Sequence, residues 1–304
     1  MFYNSVAALC EAAKKAGKPI SEIVMKSRAI DTEISMEELM EQMDENWQVM
    51  LEAMDRGLYT DVKSVTGLSG GDAKRIYEAN KHRISYVGSP VITAMARAIA
   101  VAEVNAAMGR IVAAPTAGSC GVLPAVLYSV AAELDLPREK IVKALFAAAG
   151  IGLIIAQNAS LSGAEGGCQA ECGSASCMAA FAAVELAGGT PEQAMHAGAI
   201  ALKNMLGLVC DPVAGLVEIP CIKRNASSAA NAMIAFEMAL AEVESKIPID
   251  EVILAMKQIG DMMSPQLKET ACGGLAVTPT GRAISKRIFG SSDRLPVVSF
   301  EDLE

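Results

Sequence analysis

The stretch SGAEGGCQAECGSASC, residues 162–177, holds three cysteines, Cys168, Cys172 and Cys177, in a glycine-rich setting. On one α-helix, Cys172 would sit about 40° round the axis from Cys168 and Cys177 about 180° away, so the three could not close on one metal. A thioredoxin-like pair needs two residues between its cysteines, and here three and four intervene. If the stretch is loop first and helix later, Cys177 falls on the packed side with Met178 and Phe181, as a buried structural thiol.

Cys210 and Cys221 flank a second segment, CDPVAGLVEIPC, whose two prolines prevent one regular helix. Loop cysteines suit thiolate ligation, because freed backbone N–H groups can hydrogen-bond sulfur and tune a metal. Three cysteines from two loops would leave a four-iron cluster with one open iron, able to polarise a substrate oxygen as a Lewis acid. Incidental structural thiols are the competing reading, and spacing leaves both open.

Polar side chains stand near these cysteines in sequence. PTAGSCG precedes a helix starting at Val122, where Thr116, Ser119 and backbone N–H groups suit a carboxylate or an ordinary helix cap. Asn158, Ser160 and Ser162 precede Cys168 and offer either substrate contacts or loop hydrogen bonds. Glu165 is a candidate base or a backbone partner. Lys223, Arg224 and Asn225 follow Cys221, where two cations would offset cluster charge or simply face solvent. The chain has only two histidines, His82 and His196. That excludes a His-rich zinc site, and both read as helix-borne polar residues.

The elements that must position these groups read as helices. Ser35 with Glu38 forms a capping box. Met36, Leu39, Met40, Met43, Trp47, Met50, Leu51 and Met54 then recur at helical spacing, as core or as an interface for a partner helix. Gly57 is expected to end that helix, and residues 60–90 read as more polar with glycine loops. Helices follow over 90–108, 122–134, 137 to about 157, 174–187, 190 to about 206, 226–244 and 250–263. Thr190-Pro-Glu-Gln is a second capping box with proline in the first turn. Residues 158–173 and 270–281 read as loops, with a mobile tail beyond. No period-2 strand and no internal repeat is found, so the expected fold class is all-α. The expected organisation is N-terminal amphipathic helices over 1–60, packed on a catalytic domain over 61–304, or one continuous domain 1–304.

Composition agrees with helix and narrows function. Of 304 residues, 52% are hydrophobic but only 4% aromatic, and the net charge of −9 argues against a nucleic-acid partner. The most apolar run, 144–156, is shorter than the roughly 20 residues a membrane span needs and reads as a buried core helix. No signal peptide is expected at the start. Eight cysteines without one suggest a reducing, cytoplasmic setting, where cysteine clusters read as metal or catalytic sites before disulfides.

Four blocks in order, APTAGSCGVLPA, NASLSGAEGGCQAECGSASCMAA, CDPVAGLVEIPCIKRN and ETACGGLAVTPTGR, closely resemble the α chain of the bacterial iron–sulfur L-serine dehydratases. The resemblance covers most of the chain from about residue 88 to 282. It implies a [4Fe–4S] cluster with one iron not ligated by cysteine, held by the cysteines of G-C-Q and C-D-P…P-C. These motifs map onto Cys168, Cys210 and Cys221, leaving Cys172 and Cys120 as neighbouring thiols. It implies β-elimination of water from L-serine, giving pyruvate and ammonia, and an oligomer with a separate β chain. With so few histidines here, the general base could come from that chain. Single-chain members of the family end in a cysteine that can occupy the open iron. This chain ends in FEDLE, and the place of its last cysteine, Cys272, is left open.

Three other readings compete with this one. A pyridoxal phosphate enzyme would need a Schiff-base lysine and a phosphate-binding glycine loop in an α/β fold, and the sequence offers neither the alternating strands nor a convincing lysine motif. An L-cysteine desulfidase of the same superfamily would release sulfide instead of water. A non-catalytic α-helical regulatory or scaffold protein would carry the cysteines incidentally.

Overall fold

In the computed structural model, residues 3–82 and 85–290 are described. They form thirteen α-helices, and among the described residues no β-strand is present beyond one isolated parallel bridge between Cys210 and Lys268. The fold is all-α.

The centre is α9, Ser174–Leu186. Nearly every residue in it is buried, including Cys177, Phe181 and Val184 at 0% exposure. A helix apolar on all sides must be wrapped on all sides. Around it lie α6 (Val122–Glu133), α7 (Arg138–Asn158), α10 (Pro191–Lys203) and α11 (Cys221–Leu240). Its run of alanines lets these neighbours approach closely, while Phe181 supplies bulk, its full burial worth about 1.5–3 kcal/mol. By length and composition α7 could cross a membrane, but 67% of its most apolar window is buried inside the fold. This matches a core helix.

The N-terminal helices close over this centre. α1 (Val6–Ala16) packs on α10, α2 (Ile20–Thr32) on α7, and α3 (Met36–Tyr59) on α5 (Ser89–Ala106) and α7. The methionine stripe of α3 faces inward, with Leu39, Trp47, Met50 and Met54 buried. Ser35 caps α3 by accepting from the Glu38 N–H at 3.1 Å.

Gly57 does not end α3, which runs on to Tyr59. A Cβ on Gly57 would lie 2.5 Å from the Ala100 backbone, so its role is close helix approach, not termination. The polar region after residue 60 contains α4 (Asp72–His82). Its first turn is held by buried Glu103 of α5, which accepts from the Asp72 N–H at 2.7 Å and sits favourably at the positive helix end. The glycine-rich segment ending at Gly281 runs into another helix, α13 (Pro279–Phe289). Thr278 caps it by accepting from the Gly281 N–H, with Pro279 in the first turn. The mobile tail expected after Gly281 is therefore helical as far as Phe289, and the remainder, from 291, lies outside the described residues. α12 (Ile249–Met262) and a four-residue helix, α8 (Gly163–Gly166), complete the set.

Candidate active site and metal centre

Cys168 stands at the start of a π-helical turn, Gln169–Gly173, that leads into α9. π-Helical turns recur at functional sites. Gln169 fixes this one: its side chain donates to the Met256 carbonyl at 3.0 Å and accepts from the Gly207 N–H at 2.9 Å. Its backbone N–H donates to the Leu208 carbonyl. Cys168 and Cys172 lie a turn apart and pack together.

Cys210 is positioned by the bridge to 267–269. Its N–H donates to the Leu267 carbonyl at 2.8 Å, and its carbonyl accepts from the Glu269 N–H at 2.7 Å. Glu269 and Ala271 have positive φ, 57° each, an uncommon conformation for residues with a Cβ. It turns this loop back over Cys210. Cys221 begins α11. One turn on, buried Asn225 accepts from the Gly121 N–H at 2.9 Å and donates to the Gly118 carbonyl at 2.8 Å. That ties the cysteine-bearing helix to PTAGSCG.

The three cysteines from 168, 210 and 221 therefore converge. Cys168 and Cys210 are 3% exposed and pack together with Cys172, Met205 and Leu208. The Cys210 and Cys221 thiols are both pushed up, first by burial and then by the negative charge of neighbours that include Cys168, with Cys221 at about 12. The Cys168 thiol is held down by the hydrogen bond from Cys172, against the effect of burial, with help from Arg224. Thiols gathered in this way are the donor chemistry of a thiolate-bound metal group, which deprotonates them on binding. Ligands of one tetrahedral ion stand about 3.8 Å apart given metal–sulfur bonds of about 2.3 Å. Among the described residues the set of ligand atoms lying within 4.8 Å of one another is Glu171, Cys210 and Glu269. The three thiols do not form so tight a set.

Glu171 projects from the π-turn into this site. It accepts from the Thr116 hydroxyl at 2.8 Å, and Cys210 Sγ is 3.7 Å from its other oxygen. Burial, then the charge of Glu269, holds its carboxyl above the usual range. Gly163 closes the wall: a Cβ there would lie 2.6 Å from Glu171 Oε2 and 3.0 Å from both Cys210 Sγ and Glu269 Oε2.

The remaining candidates divide by location. Thr116 and Ser119 are in the site, their hydroxyls 3.2 Å apart. Ser162 caps α8 immediately before Gly163. Ser160 donates to Glu165 at 2.5 Å, and both line an adjoining polar cavity of about 330 Å³ with Gly166, Ala170 and Lys268. Asn158 donates to the Asn4 and Ile154 carbonyls, and exposed Lys223 pairs with Asp72; the structure does not bring these two to the cysteines. Cys120 is buried beside Cys221, and Cys177 is in the core. Cys272 donates to the Thr270 carbonyl within its own loop. His196 accepts from the Ser245 N–H, and His82 lies exposed at the end of α4, so neither joins a catalytic triad. Glu171, Glu269, Asp211 and Gln169 were not singled out from the sequence. The adjacency of Glu171 to the cysteine pair was the one signal available for it.

A family profile described as "Serine dehydratase alpha chain" matches residues 15–276. The chain is 52% identical over 290 residues to the "Probable L-serine dehydratase, alpha chain" of Bacillus subtilis, covering 95% of this chain and 96% of that one. It is 43% identical to the "L-serine dehydratase, alpha chain" of Peptoniphilus asaccharolyticus, covering 95% and 99%. It is 38% identical to "L-serine dehydratase 2" of Escherichia coli, covering 90% of this chain but 61% of that one.

Proposed function

The chain belongs to the serine dehydratase alpha chain family, and on that basis we propose that it is the catalytic α subunit of an L-serine ammonia-lyase. The reaction is loss of water from L-serine to an aminoacrylate, which gives pyruvate and ammonia. The observation that carries this reading is that Cys168 and Cys210, from separate segments, are buried together, with half-buried Cys221 near enough to bear on the charge of both. We assign them as ligands of a [4Fe–4S] cluster with one iron free of cysteine. When bound, such a group supplies Lewis-acid stabilisation of a departing hydroxyl, otherwise a poor leaving group.

The chain's own residues bind and orient. Among the described residues neither Glu171 nor Glu269 forms an ion pair with lysine or arginine, so together they present negative charge suited to a substrate ammonium. Thr116 and Ser119 add hydroxyls at the same wall, for the carboxylate side of the amino acid. Gly163 and the α8 turn limit the space. The α-proton needs a positioned base, which we assign to a β chain or to Glu165 at the adjoining cavity. We place the protein in the cytoplasm as an oligomer with that β chain, and treat residues 1–60 and 61–304 as one continuous catalytic unit. The name alpha chain carried by the B. subtilis and P. asaccharolyticus relatives supports a separate β chain.

The test is anaerobic reconstitution with iron and sulfide, followed by pyruvate assays on serine and cysteine with and without the β chain. Brown colour with pyruvate from serine supports the reading. Sulfide release from cysteine in preference would replace it with a desulfidase, and a colourless protein inactive with its partner present would overturn it. Full activity from the isolated α chain would remove the β chain from the base assignment.

A further inference from the structure

Of the two cations that follow Cys221, Lys223 turns outward to Asp72 while Arg224 turns inward. Arg224 stands on α11 almost one turn past Cys221. One guanidinium nitrogen donates to the Val209 carbonyl at 2.8 Å and another to Asp211 Oδ1 at 2.8 Å. The Cys168 thiol lies near enough to feel the same charge. Its side chain is 16% exposed and that of Asp211 5%. Asp211 carries the link onward: its second oxygen accepts from the Leu275 N–H at 2.8 Å, with Gly274 packed against it at positive φ. One guanidinium thus brackets Cys210 from both sides, shares a helical turn with Cys221, and lies near enough to Cys168 to bear on its charge.

We propose that Arg224 is a positioning residue that locks the three cysteine-bearing segments into one binding site and raises the reduction potential of the cluster they hold. This rests on the cluster reading given above. Arginine suits the role because its planar fork offers five donors at fixed angles, whereas lysine is a point charge on a flexible stem. A positive charge held beside the ligating sulfurs favours the reduced, more negative state of a cluster. Outer partners of this kind typically change metal affinity about 10- to 100-fold when removed.

The experiment compares parent, R224K, R224Q and the double variant R224Q/D211N, all reconstituted anaerobically. Three readouts are taken: thermal melting of the iron-free chain, the rate of iron loss to a chelator, and the cluster's reduction potential. Removing Arg224 alone strands a buried Asp211 charge, so the double variant separates clamping from folding. The expected result is a parent-like melt for the double variant, iron loss about tenfold faster or more, and a more negative potential. R224K is expected to keep the potential near the parent's while losing iron faster, because it keeps the charge without the fork. It carries the comparison if the double variant does not fold. Variants that melt like the parent, hold iron as long and keep its potential would overturn the proposal. A parent chain that takes up no iron would overturn the cluster reading, and this proposal with it.

Discussion

One oxygen of Glu171 lies 3.7 Å from the sulfur of Cys210, and its partner oxygen accepts the Thr116 hydroxyl at 2.8 Å. A carboxylate is therefore held between a cysteine assigned to the cluster and a hydroxyl that otherwise suits a substrate carboxylate. With Glu269 close by, this wall of the site is acidic, and it favours the ammonium end of an amino acid.

Glu171→Gln keeps an acceptor for Thr116 and removes the charge. Charged hydrogen bonds are worth about 1.5–3 kcal/mol, so KM for serine is expected to rise roughly 10- to 100-fold. Visible absorbance and thermal melting should stay near the parent's. Steady-state kinetics on the reconstituted enzyme check this, and an unchanged KM would remove Glu171 from the ammonium contact.

Alanine at Cys168, Cys210 or Cys221 should each abolish the broad iron–sulfur absorbance, expected roughly near 400 nm. Cys172→Ala should keep the absorbance, because its thiol contacts Cys168 instead of serving as a ligand. Cys177→Ala should also keep it and cost stability only, as a small cavity in the core. Iron counts and spectra of the five variants decide the set, and any ligand variant that keeps full absorbance leaves the list.

Most helices were legible because their signals are local, but Cys221, read as lying outside regular helix, begins α11, and 158–173, read as loop, holds α8 and the π-turn. Thr190 and Gln193 form the reciprocal capping bonds their spacing implies, and the prolines of 210–221 break the helix where they stand. Cys177 falls opposite Cys168 and goes into the core, as periodicity requires. The misread elements depend on tertiary contact. Gly57 looks like a stop until α5 is packed against it, and α4 looks like loop because Glu103, distant in sequence, holds its first turn. Glu269 and Asp211 gain their roles from a loop that folds back over Cys210, which no spacing rule encodes. Arg224 and Lys223 are adjacent in sequence, and only the fold separates the buried cation from the exposed one.

Gly163→Ala tests how tightly the wall is built. The added methyl would approach Glu171 Oε2 to 2.6 Å, with Cys210 and Glu269 at 3.0 Å. Those atoms can yield only by moving a cysteine and both carboxylates. Overpacking of this kind costs about 1–3 kcal/mol, and here it should fall on the site. Turnover is expected to drop at least about tenfold, with little change in melting of the iron-free chain. Parent-like turnover would show that the wall yields freely.

Glu218 gives a pH prediction away from the acidic wall. Its carboxylate is 5% exposed and accepts from Ser69 at 2.5 Å and Thr66 at 2.6 Å, with Ser64 also bonded. It thereby pins the 64–69 loop to the segment leading into Cys221. Burial alone would raise its pKa, but the three hydroxyls together outweigh burial and hold it below the ordinary 4.5. A folded pKa below the unfolded one means that the unfolded chain binds more protons between the two values. Glu218 therefore contributes stability fully above the ordinary carboxylate pKa, and that contribution is lost as pH falls through the folded value. Glu218→Gln keeps an acceptor but removes the charge, and should cost about 1–3 kcal/mol at neutral pH. The gap between parent and variant should shrink steadily toward about pH 3. Urea unfolding of the iron-free chain across that range measures it, and a gap that stays constant with pH would show that the charge on Glu218 does not contribute.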